Sequence, residues 1–152
     1  MNPIKTGVIG YGYWGPNLAR NINDLTNSEL VAVSDLSEDR LMQAKTRFPQ
    51  INLVSDYHEL FNLGVEAVVI ATPPVTHYSI AKECLQNNLH VLVEKPLALN
   101  SKHAEELIKL ANERNLTLMV GHTFEYNSAV HTLKDYINNG VMGKIFYLDA
   151  AR

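Results

Sequence analysis

Gly10-Tyr11-Gly12-Tyr13-Trp14-Gly15 decides how this chain is read. The apolar run Thr6-Gly7-Val8-Ile9 leads into it, and Leu18, Ala19, Ile22 and Leu25 follow at helical spacing. The hexamer is therefore a G-x-G-x-x-G sequence at a strand-to-helix turn, which is the arrangement a dinucleotide pyrophosphate needs. The first glycine permits the tight turn, the second lets backbone N–H groups approach the phosphates, and the third lets helix and strand pack closely. The helix start adds unpaired N–H groups and the positive end of its dipole. Pro16 suits that first turn, where no i−4 bond is lost. Alone, the hexamer fits a glycine-rich turn without a ligand as well.

Asp35 adds an independent observation. It closes the run Leu30-Val31-Ala32-Val33-Ser34 and lies about 20 positions beyond the loop, where an acid that accepts the adenosine ribose hydroxyls is expected. The same residue can also cap a helix beginning near Ser37. No arginine follows it directly, Arg40 being the first, so NAD is expected as cofactor and NADP is disfavoured.

The net charge of −3 over 152 residues offers no basic field, so no nucleic acid is expected as a partner. No apolar run reaches the length of a bilayer span, and the N-terminus lacks the layout of a signal peptide, so no membrane partner and a cytoplasmic location are expected. Cys84 is the only cysteine, which excludes an internal disulfide. The histidines are dispersed at no metal-ligand spacing, and no metal is expected.

Outward from the loop, strand and helix patterns alternate. Leu41, Ala44 and Phe48 mark a helix stopped by Pro49. Ile51 to Val54 reads as a short strand, with Ser55 or Asp56 capping a brief helix after it. Ala67 to Ala71 reads as a strand buried on both faces, broken by Thr72-Pro73-Pro74. A helix follows with Ile80, Ala81, Cys84 and Leu85 inward. His90 to Glu94 is a strand ended at Lys95-Pro96. Ala104, Leu107, Ile108 and Ala111 form one helical stripe, and Thr117 to Val120 is the next strand. This alternation predicts an α/β fold, a doubly wound parallel sheet of the Rossmann type with strand order 3-2-1-4-5-6. Beyond it, Ser128 to Asn139 reads as an amphipathic helix with Val130, Leu133 and Ile137 inward, and Lys144 to Arg152 as one more strand.

Ligands of open parallel sheets bind outside the carboxyl ends of the strands. The segments leaving those ends carry candidates besides the loop and Asp35. Thr72, Pro73 and Pro74 form a rigid turn able to run along a cofactor or merely to end a strand. His77 starts the next helix, where a solvated or capping role competes with cofactor contact. Glu94-Lys95-Pro96 puts a lysine where the nicotinamide end would lie, with a proline able to take a cis bond; a surface lysine before a helix-breaking proline is the competing reading.

These motifs, in this order and spacing, resemble the N-terminal half of the glucose–fructose oxidoreductase / inositol dehydrogenase (Gfo/Idh/MocA) family over essentially the whole chain. The resemblance implies an NAD(P)-dependent oxidoreductase acting on a sugar, nucleotide sugar or cyclic polyol. It implies that Lys95 assists catalysis beside the nicotinamide and that His122, Tyr126 and Asn127 lie near substrate. It further implies a cofactor domain over 1–127, with 128–152 as the linking helix and first strand of a substrate domain that this sequence lacks. Family members are roughly twice as long. The chain is therefore expected to be catalytically silent alone and to form a homo-oligomer. Two rivals stand beside this reading: a free-standing nucleotide-binding sensor or regulatory module, and an aldehyde-linked dehydrogenase with Cys84 as nucleophile.

Overall fold

The computed structural model describes residues 2–150. The β-branched runs form the strands β1 (Ile4–Ile9), β2 (Ser28–Ser34), β3 (Asn52–Val54), β4 (Ala67–Ile70), β5 (His90–Val93) and β6 (Leu118–Val120). They make one sheet, every pair parallel, in the order β3-β2-β1-β4-β5-β6. This is the order expected from the sequence. Helices α1 (Gly15–Asp24), α2 (Glu38–Arg47), α3 (Pro74–Gln86) and α4 (Ser101–Glu113) make the crossovers, with a 3₁₀ turn at Tyr57–Asn62 between β3 and β4.

Successive strand residues point to opposite faces, and the two halves of the core divide accordingly. Val8, Val33 and Val69 pack with Ala19 and Ala44 under α1 and α2. Ile9, Ala32, Val68 and Ile70 pack with Ile80, Cys84, Leu85 and Leu107 under α3 and α4. Both faces are covered, which is why the central strands read as unbroken apolar runs. Asp56, not Ser55, caps the 3₁₀ turn, accepting from the His58 N–H. The stripe on α4 is narrower than expected: Leu107 and Ala111 are buried, whereas Ile108 is 49% exposed.

The described residues form two compact units, dividing after Gly121. The second holds a 3₁₀ turn at Thr123–Tyr126 and α5 (Ser128–Asn138). Two expectations fail there. Val130 and Leu133 are exposed rather than inward, because amphipathic spacing creates an apolar stripe without supplying a surface to cover it. Residues 144–150 form no strand, since a strand exists through a ladder to a neighbour and none pairs with them among the described residues; positions 151 and 152 of that expected strand lie outside the described residues. No helix among the described residues is long and apolar enough to cross a membrane.

Candidate functional site

β1 and β4 are neighbours whose following helices leave toward opposite faces of the sheet, and a crevice opens at their carboxyl ends. Gly10, at the end of β1, takes φ +94°, a left-handed value that only glycine adopts freely. A Cβ there would stand 2.8 Å from the Ala71 backbone, and one at Gly15 would stand 2.3 Å from the Gly10 carbonyl oxygen. The first glycine thus lets the loop pass the end of β4, and the third seats α1 against the loop. A Cβ at Gly12 would stand 3.8 Å from the Arg40 guanidinium, an ordinary contact, and Gly12 borders the space beside the loop.

That space is a cavity of about 690 Å³, within the range of small-molecule sites. Gly10, Gly12, Tyr13, Trp14, Asp35, Thr72 and Pro73 line it. Asp35 is buried and ties the loop to the end of β2: its Oδ2 accepts the Tyr11 N–H at 2.6 Å and its Oδ1 accepts the Ser37 N–H at 2.9 Å. One carboxylate thus serves both the glycine loop and the turn into α2. A carboxylate has about four acceptor positions; the two amides and the Arg40 guanidinium take three, so one remains for a hydroxyl. The Arg40 guanidinium stands 3.5 Å from Oδ2 at the cavity wall. Leu36, almost fully exposed, and Tyr13, 87% exposed, leave apolar surface at the mouth. Glycines that a Cβ would jam, an acid with a spare acceptor position and an uncovered apolar rim fit a dinucleotide.

Other expected residues are not among those lining the cavity. The Tyr11 ring is buried in the core under α1 and α2, leaving its N–H to the site, and burial pushes its phenol up. Pro74 begins α3. His77 is 1% exposed, not solvated. Its Nε2 lies 2.8 Å from the Thr72 carbonyl oxygen and its Nδ1 2.7 Å from that of Pro96. It is a strut between the loops that follow β4 and β5. Lys95 and Pro96 are exposed at the carboxyl end of β5, joined by a cis peptide bond. The Glu94 carboxylate accepts the Lys95 N–H at 3.3 Å and lies across from Gly121 at the end of β6.

In the second unit, His122 precedes the 3₁₀ turn, Tyr126 is exposed, and Asn127 caps α5 by accepting from the Ala129 and Val130 N–H groups. Cys84 is fully buried, and burial pushes its thiol up to about 12, which removes it as a nucleophile. The sequence reading missed Ser55, Tyr57, Thr76, Ser79 and Ile80, all of which line the cavity. The signal was present: Ser55 follows the carboxyl end of β3, and Thr76, Ser79 and Ile80 repeat at i, i+3, i+4 on α3.

Comparison with known proteins places this geometry among relatives. Residues 4–122 match the family described as "Oxidoreductase family, NAD-binding Rossmann fold", Gfo/Idh/MocA. The chain is 31% identical to myo-inositol 2-dehydrogenase of Thermotoga maritima over 142 residues, 93% of this chain and 42% of that protein. It is 32% identical to UDP-N-acetylglucosamine 3-dehydrogenase of Acidithiobacillus ferrooxidans, over 100% of this chain and 46% of the relative. A 3-ketoreductase from Actinomadura kijaniata, solved with TDP-benzene and NADP, superposes with a TM-score of 0.86 at 31% identity, covering 95% of this chain and 45% of that one. The chain thus spans less than half the length of these relatives.

Proposed function

The chain belongs to the Gfo/Idh/MocA oxidoreductase family, with its NAD(P)-binding Rossmann fold, and from that premise we propose that it is the cofactor-binding part of an NAD-dependent sugar or polyol dehydrogenase. The observation that carries this reading is the closure of the glycine loop onto Asp35, the Tyr11 N–H donating to its carboxylate at 2.6 Å beside the cavity. When bound, the nicotinamide supplies hydride exchange with a carbon bearing a hydroxyl.

Each residue contributes in its own place. The loop backbone and the start of α1 receive the pyrophosphate. Asp35 accepts an adenosine ribose hydroxyl and opposes a 2′-phosphate by charge. Arg40 offsets that charge in part, which makes NADP the rival cofactor, as in the Actinomadura relative. Thr72 and Pro73 run along the cavity from the end of β4, with His77 fixing the loop behind them. Lys95, at the end of β5, holds and polarises the reacting hydroxyl. His122, Tyr126 and Asn127 face substrate, and the residues that complete the sugar pocket lie outside 1–152. In this reading 1–127 is the cofactor domain.

Titrating the chain with NAD and NADP tests the proposal. NAD binds more tightly by about 1–3 kcal/mol, the worth of a hydrogen bond to a charged group, and Asp35→Ala abolishes that preference. Equal affinities in the parent chain, or an unchanged preference in the variant, overturn the role given to Asp35.

A further inference from the structure

Outside the glycine loop, Asp35 and Lys95, one connected set of titratable side chains adjoins the cavity. Tyr57, on the 3₁₀ turn after β3, is half-buried, packs against the core under α3, is one of the residues lining the cavity and donates its hydroxyl to Glu83 Oε2 of α3 at 2.6 Å. The next residue, His58, stands with Nε2 2.8 Å from the same Glu83 oxygen and Nδ1 2.5 Å from Asp56 Oδ1. Both ring nitrogens face carboxylates, which only accept, so the arrangement is complete when the imidazole carries both hydrogens. The Tyr57 and His58 rings stack at 4.2 Å between centroids.

The topology says which end of a dinucleotide this cluster meets. Asp35 ends β2, and β3 lies on its far side from β1 and the glycine loop. A ribose held by Asp35 with its phosphate toward the loop has its base directed away from the loop. The walls available there are Leu36, Ser55, Tyr57, Ser79 and Ile80. Thr76, Ile80 and Glu83 follow one another at i, i+4, i+7 along α3, so the stripe that lines the cavity ends at the residue gripping Tyr57.

We infer that Tyr57 is the adenine-side contact of the bound dinucleotide, and that Glu83 and His58 position its ring. The inference rests on the dinucleotide-binding reading above and assigns the base end of the same site.

The electrostatics agree in direction. Burial first, and the hydrogen bond to Glu83 second, push the Tyr57 phenol far above its ordinary value, so it remains a neutral donor. The Tyr57 hydroxyl, more than His58, holds the Glu83 carboxyl below the usual range. Hydrogen bonds to Asp56 and then Glu83 push the His58 imidazole up. The rings in contact with His58 are uncharged, Tyr57 and Phe61; its own turn also carries Glu59, and of the two strands packed under the turn, β3 carries no titratable side chain and β2 only Glu29 near its amino end. A group raised in the folded state contributes while charged and loses its contribution as pH rises through that raised value. The grip on Tyr57 therefore loosens toward alkaline pH.

The test is calorimetric titration of the chain with NAD, AMP and nicotinamide mononucleotide at several pH values between about 6 and 9, the range above an ordinary histidine value. Tyr57→Ala weakens AMP and NAD about tenfold, the scale of one aromatic–base contact, and leaves nicotinamide mononucleotide unchanged. Parent affinity for AMP declines with rising pH, and His58→Gln flattens that decline; Glu83→Gln, which keeps an acceptor for Tyr57 but removes the ion pair, does the same. Should circular dichroism show Tyr57→Ala unfolded, Tyr57→Phe decides, with AMP binding weakened about threefold. AMP binding unchanged by both Tyr57 substitutions, in a chain that binds NAD, overturns the contact. A pH profile unaltered in His58→Gln overturns the positioning role. A parent chain that binds no NAD at any pH instead overturns the dinucleotide reading on which this inference stands.

Discussion

Lys95 and Asp35 occupy equivalent positions in the sheet, each at the carboxyl end of a strand, yet the structure treats them differently. Asp35 is buried with its carboxylate engaged by two backbone amides, while Lys95 is exposed and held through its N–H to Glu94. An exposed lysine is free to reach a substrate hydroxyl, and its worth is realised only when one is present. In the chain extended to the length of its relatives, Lys95→Ala lowers kcat by about 10²–10³-fold, the scale of a positioned acid–base group, with NAD affinity altered less than about twofold. That pattern marks an interaction made mainly in the transition state. Steady-state kinetics with a polyol substrate, alongside NAD titration, checks it; near-normal turnover returns Lys95 to a surface role. Asp35 was legible because glycine loop and acid have a fixed spacing. The strut made by His77 was not, since a position at a helix start says nothing about burial. A usable clue lay in the stripe His77, Ile80, Ala81, Cys84 and Leu85 along α3, where the histidine merely continues the inward face.

The central strands were legible as elements because their runs are rich in β-branched residues and close at or near a glycine, proline or polar residue. Their order followed from the right-handed crossover rule once the glycine loop marked β1. Spacing told less about what covers an element. Ile108 falls on the same stripe as Leu107 and Ala111 yet stays half in water, as the contact on α3 is narrower than the apolar face offered to it. Between elements, the two loops beside the crevice depend on one side chain. His77 sits between the carbonyls of Thr72 and Pro96, and a carbonyl only accepts, so a substitute without an N–H removes the donor between these two loops. His77→Phe therefore destabilises the chain by about 1–3 kcal/mol, read as a lower urea midpoint at unchanged slope. His77→Asn, which keeps a donor amide, recovers part of the loss. An unchanged midpoint in His77→Phe contradicts the strut.

At the scale of the molecule, the first unit has a covered sheet, whereas the second leaves much of its apolar surface in water. Along α5, Val130, Leu133 and Tyr136 are exposed, and beyond it Phe146 and Tyr147 are 84% and 83% exposed. An exposed apolar segment with no ladder partner among the described residues is open to pairing with another chain, and in a pure preparation the available one is a second copy. The expected outcome is a self-associating chain in which residues 144–152 lie at or near the contact. Removing 144–152 leaves NAD affinity intact, because Asp35, the glycine loop and the cavity belong to the first unit, and shifts the solution mass toward the monomer. Neither form produces NADH from inositol or a nucleotide sugar, since turnover needs a hydroxyl held about 3–3.5 Å from its acceptor by residues that the proposed reading places outside 1–152. Sedimentation velocity of both forms, with NAD titration and an NADH absorbance assay, separates these claims. A monomer unaffected by the deletion removes the edge contact alone. Sugar-dependent NADH formation by residues 1–152 removes the premise that the substrate pocket is completed elsewhere, and His122, Tyr126 and Asn127 then become the first residues to substitute.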